Sequence, residues 1–95
     1  MELEVRLTDR ARADLEDISK YLQSNWSEQV KMDFLVRLNE QFKLIGKMPL
    51  MFRVSAKRPG IRECVMHKHT IIYYRIVAER FVQIVSIQST RRGTF

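Results

Sequence analysis

Apolar residues alternate with charged ones at the start of the chain and then recur at helical spacing. Leu3, Val5 and Leu7 are separated by charged residues, which predicts a half-buried strand. Thr8 is a typical helix N-cap residue. The apolar stripe of the helix that follows comprises Ala11, Leu15, Ile18 and Leu22. We predict that this helix ends before residues 23–25, a run of polar residues with weaker helix propensity.

A second amphipathic segment begins after a short polar link. Ser27 is its expected N-cap, and its stripe comprises Val30, Phe34, Leu38, Phe42 and Ile45, with Leu35 widening it. Gly46 fits the position just after a helix, and Pro49 prevents continuation. Two helices joined by so short a link predict an antiparallel helical hairpin.

The second half of the chain is rich in β-branched and aromatic residues. We predict a loop over residues 47–60, followed by strands at 61–66, 70–77 and 81–88. Because only residues 78–80 separate the last two strands, these must form a β-hairpin.

The alternation within the middle strand predicts which side of the sheet is covered. Ile72, Tyr74 and Ile76 share one face, and the opposite face, which carries Arg75, is expected to be the open one. The element order is β-α-α-β-β-β. We therefore predict an α+β fold, with an N-terminal strand and an antiparallel helical hairpin packed on one face of a mainly antiparallel, twisted sheet.

Length and composition limit the class of protein. The 95 residues suit a single domain spanning 1–95. We expect no signal peptide and no membrane span, because no apolar run is long enough, and we expect a cytoplasmic protein. A lone cysteine, Cys64, excludes an intrachain disulfide and is expected to be a small buried apolar residue.

Charge is divided unevenly along the chain. Residues 1–52 carry eight Lys/Arg and nine Asp/Glu, a balance of −1, whereas residues 53–95 carry nine and two, a balance of +7. The sum is the formal net charge of +6. The second half therefore predicts a positive surface that meets an anionic partner.

Few residues are suited to catalysis. His67 and His69 flank a lysine and are expected in a solvated turn, so we expect no metal site and no cofactor. Neither a phosphate-binding glycine loop nor a nucleophile elbow occurs. What remains is a basic surface with aromatic residues, and arginine is well suited to anions because its fork binds two oxygens.

Several short motifs, in this order and spacing, resemble the RelE/ParE superfamily of toxins from type II toxin–antitoxin modules. The matching stretches lie at residues 7–11, 18–22, 38–42, 48–49, 58–62, 69–76, 84–87 and 90–92. The resemblance implies a RelE/ParE-like fold and one of two activities. RelE-type members cleave mRNA on the ribosome, and ParE-type members poison DNA gyrase.

The motifs favour the ParE branch. Arg-Pro-Gly-Ile-Arg at 58–62 and Tyr-Tyr-Arg at 73–75 look ParE-like, and a gyrase poison needs no acid–base pair. The resemblance implies a toxin that inhibits DNA gyrase and is neutralised by a cognate acidic antitoxin. Two alternatives stay open: a ribosome-dependent mRNA endonuclease, and a non-toxic protein with the toxin fold that acts only as a binding partner.

These interpretations select different residues. A nuclease would require His67, His69 and Arg91 as acid, base and phosphate cation. For a ParE-like toxin no catalytic residue is expected. Candidates for contact with the target or the antitoxin are Arg58, Arg62, Tyr73, Arg75, Arg91, Arg92 and Phe95. For Arg62 and Arg75, support of the fold by hydrogen bonds to loop carbonyls is an equal alternative.

Overall fold

A computed structural model describes residues 2–67 and 69–89. The elements are β1 (Glu4–Leu7), α1 (Asp9–Asn25), α2 (Glu28–Lys47), β2 (Arg53–Val54), β3 (Arg62–His67), β4 (Thr70–Val77) and β5 (Phe81–Ser89). They form a five-stranded sheet in the order β1-β5-β4-β3-β2. Only β1 pairs in parallel, with β5, and the remaining pairs are antiparallel. The predicted α+β fold is confirmed.

Both helices begin at the predicted N-caps. The Thr8 hydroxyl accepts a hydrogen bond from the Ala11 amide at 3.0 Å, and the Ser27 hydroxyl accepts one from the Val30 amide at 3.1 Å. The Thr8 hydroxyl also donates to the carbonyl of Val85, 2.9 Å away, which ties the start of α1 to β5. These local signals were readable because a cap involves residues only three apart.

The predicted end of α1 was three residues too early. The helix continues through residues 23–25, and the Asn25 side chain donates to the carbonyl of Tyr21 at 3.0 Å. These polar residues are exposed, so they complete the last turn without burying an unpaired group.

Gly46 was also misassigned. It lies within α2, not after it, and its carbonyl accepts a hydrogen bond from the Leu3 amide at 2.8 Å. A Cβ at this position would lie 2.7 Å from the Leu3 carbonyl oxygen. Glycine is therefore required by the close approach of the chain before β1, and not by a helix terminus.

The predicted loop 47–60 contains the short strand β2. Its two residues pair with β3, Arg53 opposite Glu63 and Val54 opposite Arg62, and the Arg53 guanidinium lies 2.8 Å from the Glu63 carboxylate. Two residues are too few to show an alternating pattern, so the sequence gives no sign of this strand.

The core lies between the helical hairpin and one face of the sheet. α1 packs mainly on β5, and α2 packs on β1 and β3. Buried apolar residues come from both layers: Ala11, Ile18, Leu22, Phe34, Leu38, Ile45, Cys64, Ile72, Tyr74, Val82, Ile84 and Ile87. Within the described residues, no helix is long and apolar enough to cross a membrane.

The hairpin between β4 and β5 turns without glycine. Ala78 and Glu79 have φ of 52° and 56°, and the Arg80 amide donates to the Val77 carbonyl at 2.9 Å. Two consecutive positive φ values are typical of a type I′ turn, which strongly prefers Asn-Gly.

Changing Ala78→Asn together with Glu79→Gly is expected to raise the melting temperature by several degrees, because it relieves about 1 kcal/mol of backbone strain. Thermal melts followed by circular dichroism test this. The control is Asp33→Asn together with Asn39→Gly, both within α2. This variant should lower the melting temperature, because glycine is a poor helix former. A lowered melting temperature for the turn variant would show that the positive φ values are not strained.

Candidate functional site

Among the described residues the helices pack on one face of the sheet, and we call the other face the open face. Ile72 and Tyr74 of β4 are buried beneath the helical hairpin, whereas Tyr73 is half-buried and Arg75 is exposed on the opposite side. The expectation that the Arg75 side is open is confirmed. In the neighbouring strands Glu63 lies opposite Tyr73, and Gln83 lies opposite Arg75.

Arg58 reaches the open face from the loop between β2 and β3. Its guanidinium carbon lies 5.2 Å from the centre of the Tyr73 ring, a cation–π arrangement. The Ser55 hydroxyl accepts hydrogen bonds from the amides of Lys57 and Arg58, both at 3.3 Å. The Ile61 amide donates to the Arg58 carbonyl, and Gly60 between them has φ of 78°. The loop backbone thus places the Arg58 side chain on Tyr73.

Arg75 is held by a neutral partner. Its Nε donates to the Gln83 side-chain oxygen at 2.8 Å. An amide orients the guanidinium but does not compensate its charge, so the positive charge of Arg75 remains available to an anion. Gln83 is a positioning residue that sequence reasoning missed, since only strand register brings it opposite Arg75.

Two further arginines on the open face are paired with acids. Arg6 lies 2.8 Å from the Glu4 carboxylate and 4.2 Å from the centre of the Phe81 ring, and Arg53 is paired with Glu63. Among the ion pairs of the described residues, neither Arg58 nor Arg75 has a carboxylate partner within 4.0 Å. The uncompensated charge of the open face is therefore concentrated around Tyr73.

Arg62 is directed to the other side. It lies opposite Tyr74, and its Nη1 donates to the Phe52 carbonyl at 2.7 Å. The geometry favours fold support for Arg62, the alternative that the sequence left open. Arg91, Arg92 and Phe95, the other predicted contact residues, lie outside the described residues.

The histidines occupy a more enclosed site than the expected solvated turn. His69 is only 8% exposed, and its amide donates to Nδ1 of His67 at 3.3 Å. His67 lines a cavity on the helix side with Leu22, Val30, Asp33, Phe34 and Arg37. The expectation of solvation was wrong, because His69 is buried and His67 faces residues of α1 and α2 across this cavity. Across residues 2–67 and 69–89, no group of three or more His, Cys, Asp and Glu is arranged to hold a metal ion.

Cys64 is fully buried between β3 and α2, as predicted. Its thiol donates to the Gln41 side-chain oxygen at 3.3 Å. Burial raises the pKa of the Cys64 thiol from 9.0 to about 11. The folded state therefore keeps the proton that the unfolded chain releases above pH 9, and the stability from the neutral thiol is lost as the pH rises through 11.

Alkaline destabilisation should accordingly depend on this residue. Between pH 7.5 and 11 the melting temperature of the wild type is expected to fall further than that of Cys64→Ala, which has no thiol to ionise. Comparing the two falls cancels the titration of the groups that Cys64 does not affect. Equal falls would contradict a role for Cys64.

Comparison with known proteins agrees with this architecture. The sequence profile described as "ParE toxin of type II toxin-antitoxin system, parDE" matches residues 5–93. A relative, Toxin ParE1 of Caulobacter vibrioides, is 32% identical over 72 residues, which cover 75% of this chain and 74% of that protein. The chain belongs to the ParE family of toxins of type II toxin–antitoxin systems.

Solved structures share the fold at lower sequence identity. A chain of the chromosomal ParDE toxin–antitoxin system of P. aeruginosa has a TM-score of 0.81 and 19% identity, with 95% of this chain and 98% of that one covered. A chain of the toxin–antitoxin complex RelBE2 of Mycobacterium tuberculosis has a TM-score of 0.60 and 19% identity, with 94% and 99% covered. At these identities the likeness concerns the fold alone.

Proposed function

We propose that this ParE-family toxin inhibits DNA gyrase in the cytoplasm, and that the open face contacts the target through Arg58, Tyr73 and Arg75. The observation that carries the proposal is a pair of arginines, Arg58 over the Tyr73 ring and Arg75 two residues along the same strand, neither of which is neutralised by a carboxylate of the described residues. Guanidinium groups bind phosphates and carboxylates through two parallel hydrogen bonds.

The placement of the histidines supports inhibition over RNA cleavage. His69 directly precedes β4, and Arg75 lies five residues beyond the first residue of that strand, or about 16 Å along it. A general acid or base must come within about 3 Å of the atom it protonates or deprotonates. Arg75 and the histidines therefore do not act on one phosphate; Arg91, the cation expected of a nuclease, lies outside the described residues.

A type II toxin is controlled by an antitoxin protein, and we propose such a partner here. The net charge of +6 favours an acidic antitoxin, because opposite charges accelerate association and disfavour wrong partners. The solved structure from Mycobacterium tuberculosis is described as a toxin–antitoxin complex. For this chain the antitoxin is expected to be the product of a neighbouring reading frame.

A gyrase supercoiling assay beside a cell-free translation assay tests the function. We expect the purified protein to inhibit supercoiling and to leave mRNA intact. The double variant His67→Gln, His69→Gln should inhibit gyrase within about twofold of the wild type, provided that circular dichroism shows it to be folded. A nuclease that used these residues would lose about 10²–10⁴-fold in rate for each.

The other outcomes separate the alternatives. Cleaved mRNA that depends on the two histidines would replace the proposal with a ribosome-dependent endonuclease. Activity in neither assay, combined with antitoxin binding, would indicate a protein that keeps the toxin fold only as a binding partner.

A further inference from the structure

The segment between α2 and β2 exposes apolar side chains that the core does not use. Leu50 is 69% exposed, and Met48 and Met51 are about half exposed, although Pro49 between them is buried. Sequence reasoning treated this segment as an ordinary loop. Adjacent exposed apolar side chains are uncommon on a small domain unless they bind something.

This loop is held in place from beneath. The buried Tyr74 hydroxyl donates to the Pro49 carbonyl at 2.6 Å, and Arg62 donates to the Phe52 carbonyl at 2.7 Å. The Met51 amide donates to the Met48 carbonyl at 3.1 Å. With its backbone fixed in this way, the loop presents its side chains without a further cost of ordering the backbone, which favours binding.

An apolar groove lies next to the loop. It has a volume of about 350 Å³ and is lined by Leu3, Pro49, Leu50, Ile76, Ala78 and Glu79. The groove ends at the strained turn between β4 and β5, where Ala78 and Glu79 have positive φ. Leu50 therefore forms one wall of a groove that is wide enough for apolar side chains of a partner.

The charges around this surface define the partner further. Residues 47–62 contain five Lys/Arg and no Asp/Glu. Lys47 lies on the same surface as Met48, Leu50 and Met51, is exposed, and among the described residues has no carboxylate within 4.0 Å. Glu79 is the one acid that lines the groove, and the exposed Arg80 follows it. A second copy of this basic chain would be repelled, whereas an acidic segment would be attracted.

We infer that the loop Met48–Met51 and the adjoining groove form the docking surface for an acidic, amphipathic segment of the antitoxin. Apolar side chains of that segment contact Leu50 and Met51 and enter the groove, and its carboxylates face Lys47. Methionine side chains adapt their shape to a partner. The inference rests on the proposed antitoxin, and it separates the antitoxin surface from the arginines proposed to contact gyrase.

Two matched double variants test the inference. Leu50→Ser with Met51→Ser removes apolar surface from the loop. Met32→Ser with Val36→Ser removes it from the outer side of α2, where these residues are 46% and 57% exposed. The probe is the protein encoded by the neighbouring reading frame, and the readouts are its Kd by calorimetry, gyrase inhibition and the thermal melt. We expect the loop variant to weaken antitoxin binding tenfold or more, and the helix variant to change it less than twofold.

The charge of Lys47, beside the loop, gives an independent measurement. Lys47→Glu is expected to slow association severalfold at low salt and less at high salt, because steering by exposed charge is screened. The loop variant should inhibit gyrase as the wild type does.

Unchanged or equally weakened antitoxin binding in both serine variants would overturn the inference. So would a loop variant that loses gyrase inhibition but keeps the antitoxin. A wild type that binds no antitoxin would refute the proposed partner and the inference with it. Absence of gyrase inhibition by the wild type, with antitoxin binding that still depends on the loop, would refute only the proposed target.

Discussion

Replacing Gly46 with alanine is expected to lower the melting temperature by roughly 5–15 °C, although alanine is the better helix former. Helix propensity alone would favour alanine by about 1 kcal/mol. A Cβ at Gly46, however, would lie 2.7 Å from the Leu3 carbonyl oxygen and 3.2 Å from the Val5 side chain. Backbone must move to admit it, which weakens the hydrogen bond from the Leu3 amide, and overpacking of this kind costs about 1–3 kcal/mol.

Thermal melts of the wild type and Gly46→Ala measure the effect. The control is Asn39→Ala, an exposed position in the same helix, which should leave the melting temperature unchanged or raise it slightly. If Gly46→Ala melts at or above the wild-type temperature, the contact between α2 and the start of the chain is looser than described.

Removing the uncompensated arginines should abolish most of the proposed inhibition of gyrase without unfolding the protein. The double change Arg58→Ala and Arg75→Ala is expected to weaken inhibition of supercoiling by tenfold or more. Both residues are exposed, and their contacts to Tyr73 and Gln83 contribute only about 0–1 kcal/mol each. The melting temperature should therefore change by only a few degrees.

The control removes the same charge elsewhere. Lys20→Ala with Lys43→Ala lowers the net charge equally, from exposed positions on the two helices. A supercoiling titration should give wild-type inhibition for this pair. Equal losses of inhibition in both double variants would show that the net charge, and not the open face, determines inhibition. Full inhibition by the arginine variant would exclude Arg58 and Arg75 as target contacts.

The sequence by itself determined the two helices and the four longer strands, their order and their faces, but not β2. Thr8 and Ser27 start the helices, and the alternation around Tyr74 separates the buried face of β4 from the open one. These features depend on residues only a few positions apart, so a periodic pattern or a cap motif reveals them. The family motifs likewise depend on local order, and they predicted the toxin class that the family profile confirms.

Only the tertiary structure decided which polar and apolar groups are left over for binding. Arg62 and Arg75 look alike in the sequence, yet one supports loop carbonyls and the other stays exposed beside a neutral amide. In the sequence Gly46 fits a helix terminus, but in the structure it is required by the close approach of Leu3. Leu50 is an ordinary loop residue in the sequence, but in the structure the hydrogen bond from Tyr74 to Pro49 fixes the backbone next to it. Each of these outcomes depends on partners at least eight residues away, and a contact at such a distance leaves no pattern in the order of the amino acids.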